Sequence, residues 1–595
     1  MKRITALLAI VAALLILTGG AAAQGEDIPY GSFEGLSWTF DMDSRAFTLT
    51  ADGTGSVPAE AQRCSAALYG EDGKQLSVCL FPLPPEGETA TAELACAELP
   101  LEFDLRLYLT DALYRPAANA KTWHFSTSLP TCARKGYTIV SSEDGSYICR
   151  VIDTTEHSWG EWQTVREIEG VIPGLHERCC EVCGAREEQL FYPQSEMPIL
   201  RLYGDISYMD KYTEAAVTAY FDGVETSFFD YASLKTQGHT SLVYPKKNYM
   251  IKFFLDEGHT EKDKHQFYNW NRESKYVLKA NYVDPSKCRN LACADLWYEI
   301  CKCREGTKHI KNLFHYGATD GMPVAVYLND EYLGLYDMTL HKDDDLYDLD
   351  KGQDDALMIV NHCTTEESLF RAPAAFTDES DWELEFCGSE DPTWAMDKLN
   401  ALIDFVVNAS DADFADKKQL KQHLNIDSAI DYMLNMYAFG LTNSYAKNLV
   451  LLSYGQDPWI FSAFDMEDAF GLYMDGQGVY EPTSFLPSCV DGVWSSDTGS
   501  LLWDRLLQCY PERIAARYRQ LRETIFTEEH VLAEFEARTA RIDPVFYEAD
   551  RALYTNMPGL ETGTQEQISA YLTARLALLD EIFVTEEPIE EETNG

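Results

Sequence analysis

Asn443 and Asn448 stand five residues apart, and the apolar run Leu449 to Leu452 follows directly. A second apolar run, Trp459 to Phe464, ends on Asp465-Met466-Glu467-Asp468, with Phe470-Gly471 close behind. Hard oxygen donors at the start of one strand and the end of the next suit Mg²⁺ or Mn²⁺ bridging phosphate oxygens. Taken singly, each is equally an ordinary polar residue at a strand end. Upstream, Lys279 follows Tyr276-Val277-Leu278 in an apolar strand, where a charge must find a partner or a ligand. A structural salt bridge meets that need as well as a phosphate does. Pro285 then opens a helix in which Ser286 and Arg289 share a face. Further back, the polar turn Gln237-Gly238-His239-Thr240-Ser241 feeds a strand carrying Lys246, Lys247 and Lys252. The backbone N–H groups of such a turn can hold phosphates, although most glycine turns only turn.

In order, these pieces fit one known arrangement. Protein kinases place a metal-binding Asn five positions after the catalytic Asp, and a metal-binding Asp beyond the next hairpin. Here the five-residue interval ends on Asn448, and Asp465 with Phe470-Gly471 fits the second element. The ordered set Gly-His-Thr-Ser…Pro-Lys-Lys-Asn-Tyr, Leu-Lys-Ala-Asn-Tyr-x-Asp-Pro-Ser-x-x-Arg-Asn, Pro-Val-x-Val-Tyr-Leu-Asn-x-x-Tyr-x-Gly-Leu-Tyr, Ala-Lys-Asn and Asp-Met-Glu-Asp-x-Phe-Gly resembles the spore coat protein H (CotH) kinase-like family, from about residue 200 to 541. That resemblance implies a small kinase-like lobe, transfer of the ATP γ-phosphate, Mg²⁺ or Mn²⁺, and secreted or envelope proteins as substrates. It assigns the catalytic positions to Asn443 and Asp465, and metal binding to Asn448, Asp465 and Glu467. Glu467 replaces the second acid of the family's Asp-x-Asp. Phosphate binding falls to Gly238, Ser241, Lys247, Lys279 and Arg289, with Lys279 as the principal lysine and Lys247 and Lys252 as rivals.

Two positions depart from the pattern. Asn443 stands where the family usually has an Asp, and a neutral amide can orient a substrate hydroxyl but cannot accept its proton. Loss of a general base costs about 10²–10⁴ in rate, though a loose phosphoryl-transfer transition state leans on the base less. Glu467 or Asp468 could stand in. Leu340-His341-Lys342 occupies the place of the family's acidic residue after the Gly-Leu-Tyr strand. The expected functions are therefore a working kinase, or a pseudokinase or surface scaffold that binds partners; adhesion through the N-terminal modules is a third.

The elements that must position these residues are strands in the first half of the region from 193 to 585, and helices from about Trp394. Val324, Val326 and Leu328 alternate toward an Asn329-Asp330 turn, as in a hairpin. Residues 397–407, 426–439 and 501–525 carry apolar side chains at three- and four-residue spacing. The expected fold is α+β, an atypical protein-kinase-like domain with a β-rich N-lobe and a helical C-lobe. Before it, residues 24–128 alternate large apolar and polar side chains between turns such as Asp52-Gly53 and Asp72-Gly73, the pattern of a small β-sandwich.

Residues 129–192 form a Cys/His-rich segment in which His157-Ser-Trp-Gly-Glu-Trp162 precedes Cys180-Glu-Val-Cys183-Gly184. It resembles a short Cys/His repeat of Firmicutes surface proteins. Cys132, His157, Cys180 and Cys183 could supply four tetrahedral Zn²⁺ ligands. The repeat's cysteine pair near 141–145 and its ligand after Glu167 are missing, so a disulfide-stapled or degenerate spacer is the alternative.

Lys2 and Arg3, the apolar run from Ala6 to Leu17 and Ala21-Ala22-Ala23 lay out a signal peptide over residues 1–23, with a retained anchor as the alternative. No later run approaches the roughly 20 apolar residues of a membrane helix. Secretion or the cell surface is the expected location. Net charge is −49, from 97 acidic and 48 basic residues, which repels nucleic acid and anionic membranes. The same excess can gather cations or basic partners, or simply keep the chain soluble. Sixteen cysteines fit an exported chain, although spacing leaves their pairing open. Residues 586–595 read as an acidic tail.

Overall fold

The inward alternation of Phe103, Leu105, Leu107 and Leu109 along Glu102–Thr110 typifies the first part of the chain, where one strand face is buried and the other wet. The structure, a computed structural model, describes residues 28–41, 45–52, 57–238, 240–304, 308–350, 352–377, 380–455 and 457–584. The expected signal segment 1–23 and acidic tail 586–595 lie outside them. Two compact units result: Met1–Arg166 with Leu175–Leu190, and Glu167–Gly174 with Phe191–Gly595.

In the smaller unit a four-stranded and a six-stranded sheet share one apolar core. Phe103 and Phe125 stack at 4.7 Å, and Trp38 meets Trp123 edge-on at 5.7 Å. The six-stranded sheet does not end at residue 128 as expected. Gly136–Ser142 and Tyr147–Ile152 extend it, because Gly136, Thr138 and Val140 continue the inward alternation. Beyond them Gln163–Arg166, Gly174–Cys179 and Arg186–Phe191 make a small three-stranded sheet.

The larger unit is α+β. Its first seven strands are β1 (Ile199–Tyr203), β2 (Ala215–Asp222), β3 (Ser227–Gln237), β4 (Asn248–Phe254), β5 (Lys275–Lys279), β6 (Gly321–Leu328) and β7 (Glu331–Leu340). They close into a barrel in the order β1-β2-β3-β4-β5-β7-β6, sealed by β1 running parallel to β6. Helix α1 (Arg289–Lys302) connects β5 toward β6. A second, antiparallel sheet has the order β9-β8-β10-β11, from β8 (Leu357–Asn361), β9 (Trp382–Cys387), β10 (Leu449–Ser453) and β11 (Ile460–Ala463). Helices Thr393–Asn408 and Ile426–Phe439 cover the expected segments. The segment 501–525 is two helices, Leu501–Cys509 and Pro511–Arg522, because Pro511 has no N–H to continue the first and suits the opening turn of the second. Among the described residues no helix is long and apolar enough to cross a membrane.

Three of the sequence motifs meet at one buried carboxylate. Asp550 accepts a bond from Lys246 (2.8 Å), an ion pair from Lys287 (3.4 Å) and the N–H of Leu335 (3.0 Å), and all these side chains are inaccessible. Lys246 also bonds the carbonyl of Ala280 at 3.0 Å. Buried charges need this density of partners. The same packing explains Gly334: its φ is +143°, and a Cβ there would lie 2.7 Å from Asp550 Oδ1 and 3.1 Å from Lys246 Cε. Gly334→Ala is expected to destabilise the larger unit by more than about 1 kcal/mol, measured by denaturant unfolding; a midpoint equal to that of the natural chain would contradict this packing account.

Candidate functional site

The site is assembled from the β3–β4 turn outward. Gly238 (φ +108°) lets the chain leave β3 so tightly that a Cβ would collide with Ser241 Oγ. Ser241 Oγ accepts from Asn248 Nδ2 at 3.2 Å, while Asn248 Oδ1 accepts from the N–H of Ala280 at 2.7 Å. One β4 amide therefore fixes the turn against the end of β5, where Lys279 sits. Lys279 Nζ reaches Asp465 Oδ1 at 2.8 Å. Burial works against both charges, but each holds the other ionised: Asp465 is pulled below the usual carboxylate range, and Lys279, with Glu467 also nearby, is raised.

Asp465 lies just past β11 and Asn448 just before β10. Both adopt the left-handed region, at φ +55° and +61°, a conformation Asn and Asp tolerate better than other side-chain-bearing residues. Asn448 Nδ2 donates to the Asp465 carbonyl at 3.0 Å, and the Asn448 N–H bonds the carbonyl of Asn361 at the end of β8. Helix α1 grips the same loop, since Asn290 Oδ1 accepts from the N–H of Met466 at 2.9 Å and Arg289 Nε donates to the Ala469 carbonyl at 3.0 Å. Asp468 closes the arrangement. Its Oδ2 accepts from Thr442 Oγ1 (2.9 Å) and from the N–H of Asn443 (2.6 Å), and its Oδ1 is buried with no donor.

Gly238, Ser241, Lys279, Asn443, Asn448, Asp465 and Glu467 line a single cavity of about 320 Å³. Sequence reasoning named all seven, from four separate stretches. It missed the wider lining. Lys211, Lys235, Lys342 and Lys447 also face this cavity, as do Glu383 and Glu385. Lys342 bonds Glu385 and, with Lys279, sets its ammonium over the Phe464 ring, at 5.1 and 5.4 Å. The only sequence signal for Lys342 was its place where an acid was expected.

Two expected phosphate ligands are elsewhere. Arg289 is fully buried and does not line the cavity: it bonds Asp284, the carbonyls of Ala469 and Thr562, and Gln567 Oε1. A helix-face spacing cannot distinguish a guanidinium aimed at a ligand from one aimed at backbone. Lys247 is occupied by the carbonyls of Leu242 and Tyr244, at 2.6 and 2.5 Å, and also lies off the cavity. The rival Lys252 pairs with Glu214 at 2.6 Å.

The donor set fits a hard divalent cation. Burial, then the charge of Asp465, pushes the Glu467 carboxyl up to about 8, and burial raises Asp468 to about 6 against its two hydrogen bonds. Burial makes these carboxyls costly to ionise on their own, and an oxygen-preferring divalent cation would offset that cost. Asp465, Glu467 and the side-chain amide oxygen of Asn448 are the groups that would hold it. In the smaller unit, Cys132, His157, Cys180 and Cys183 form a separate cluster with ligand atoms within 4.8 Å of one another.

A family model described as CotH kinase protein matches residues 234–579, more than half of the chain and all of the cavity lining except Lys211. The chain belongs to the CotH kinase family. A comparison with curated proteins gives no match. Within this CotH kinase domain Arg289 acts as a brace of the 465–471 loop. Arg289→Met, which strands the buried Asp284, is expected to cost about 3–5 kcal/mol of folding stability, read from denaturant unfolding. A variant with natural stability but lost nucleotide binding would return Arg289 to phosphate contact.

Proposed function

We propose that this protein is an exported CotH-type atypical protein kinase that transfers the ATP γ-phosphate to hydroxyls of secreted or surface proteins. The barrel β1–β7 is its small lobe and the helical region its large one, with the cavity at their junction. One observation carries the reading: Lys279 and Asp465 pair at 2.8 Å in a cavity that also contains Asn443 and Asn448, at the five-residue kinase interval. The convergence of five lysines on this cavity, in a chain of net charge −49, supports an anionic ligand.

Each residue then has a task. The turn at Gly238 offers backbone N–H groups to phosphate oxygens, and Lys279 orients them. Asn448, Asp465 and Glu467 hold Mg²⁺ or Mn²⁺, which when bound neutralises charge on the transferring phosphate. Asn443 orients the acceptor hydroxyl. That hydroxyl oxygen bonds the γ-phosphorus as the bond to the ADP oxygen breaks, and a carboxylate of the cavity wall, Glu467 or Asp468, takes the proton that Asn443 cannot accept. Kinases usually pair the lysine with a glutamate of the helix after it. Here α1 holds the metal-side loop instead, and Lys279 meets Asp465 directly. The apolar N-terminal segment supports export.

Asn443 also favours a second reading, a nucleotide-binding scaffold that no longer transfers phosphate. Labelled ATP with Mg²⁺ or Mn²⁺ separates the two. The natural chain is expected to transfer label to itself or to added protein, at least about 10²-fold more than Asp465→Ala. Label that appears only after Asn443→Asp would overturn the kinase reading in favour of the scaffold.

A further inference from the structure

The smaller unit holds a second cluster that the phosphotransfer chemistry does not use. Cys132 comes from the turn between Lys121–Ser128 and Gly136–Ser142, His157 from the coil after Tyr147–Ile152, and Cys180 and Cys183 from the turn before Arg186–Phe191. Three distant stretches thus bring three sulfurs and one imidazole within 4.8 Å of one another. Cys132 Sγ lies 3.5 Å from Cys180 Sγ, and Cys183 Sγ lies 3.4 Å from His157 Nδ1. Zinc bonds of about 2.3 Å to sulfur and 2.0–2.1 Å to nitrogen set tetrahedral edges of about 3.5–3.8 Å. Those two distances lie close to such edges, all four ligand atoms fall within 4.8 Å of one another, and each cysteine is a free thiol.

The surroundings are built to hold this geometry. Gly184, at φ +74°, turns the chain so that its N–H meets the Cys180 carbonyl at 2.9 Å, and the Ala185 N–H reaches Cys183 Sγ at 3.5 Å. The His157 stretch is pinned to the same turn by Glu181 N–H to the Ser158 carbonyl (2.8 Å) and Gly160 N–H to the Cys179 carbonyl (2.9 Å). Arg178 lies over the Trp159 and Trp162 rings, at 5.1 and 4.6 Å. What the region lacks is a core. Gln163–Arg166 is exposed at every residue, and within 153–166 and 175–190 only Cys180 is buried. A segment with so little apolar burial is ordered by a cross-link or a metal.

We propose that Cys132, His157, Cys180 and Cys183 bind one structural Zn²⁺ that cross-links the Cys/His segment to a hairpin turn of the six-stranded sheet. Four protein ligands with three thiolates select zinc over the hard cation of the other cavity, and they leave no open position for catalysis. The site is independent of the kinase reading.

The test uses the full chain, purified without chelator. Elemental analysis is expected to find about one zinc per chain, and Co²⁺ exchange to give the intense visible bands of a tetrahedral thiolate site. Cys183→Ala should lose both signals, and His157→Cys should keep the metal. If Cys183→Ala fails to fold, the cobalt spectrum of the natural chain and the fall in its melting temperature on chelation still decide. Absence of zinc and of a tetrahedral cobalt spectrum, or a Cys132–Cys180 disulfide found by mass spectrometry, would overturn the proposal.

Discussion

The pair between Lys279 and Asp465 is the contact around which the larger unit is organised. One partner ends a barrel strand and the other leaves a strand of the second sheet, 186 residues away. Either charge alone in that place would carry a desolvation penalty of several kcal/mol. Together they require two separately built elements to arrive within 3 Å. Every motif residue nearby contributes to that arrival. Asn248 fixes the end of β5, Asn448 receives the loop carbonyl of Asp465, and Asn290 with Arg289 holds the following four residues. The left-handed backbone at Asn448 and Asp465 is local strain that such a network over-determines.

The charge distribution has a similar logic. The chain is strongly acidic, yet this cavity gathers five lysines beside five carboxylates. Lysines grouped in this way suit an anion such as a polyphosphate, and the carboxylates suit the cation that accompanies it. The zinc site proposed for the smaller unit differs in ligand softness, with thiolates and imidazole in place of carboxylates. Two cation preferences can coexist in one chain without exchange between sites.

Much of the site was legible before any coordinates. Lys279, Asn448 and Asp465 were each ordinary taken singly, and stood out only through their order and spacing together. Gly238 and Ser241 followed from turn chemistry. Arg289 and Lys247 turn to backbone carbonyls instead: those of Arg289, with Gln567, lie up to 278 positions away, and those of Lys247 belong to its own turn, where spacing alone does not show which way the side chain folds. Lys246 was passed over although it is the buried member of its pair, tied to Asp550 from the far end of the domain. Lys342, just past β7, and Glu385, on β9, meet at the cavity with no motif of their own. The break at Pro511 was visible in the sequence, and the helical periodicity on both sides of it concealed the break.

Calorimetric titration of ATP into the purified protein, with and without Mg²⁺ or Mn²⁺, addresses the ion pair directly. The account predicts metal-dependent binding that weakens at least about tenfold in Lys279→Met and is unchanged in Lys247→Met. Natural affinity in Lys279→Met, in a variant that remains folded, would contradict it.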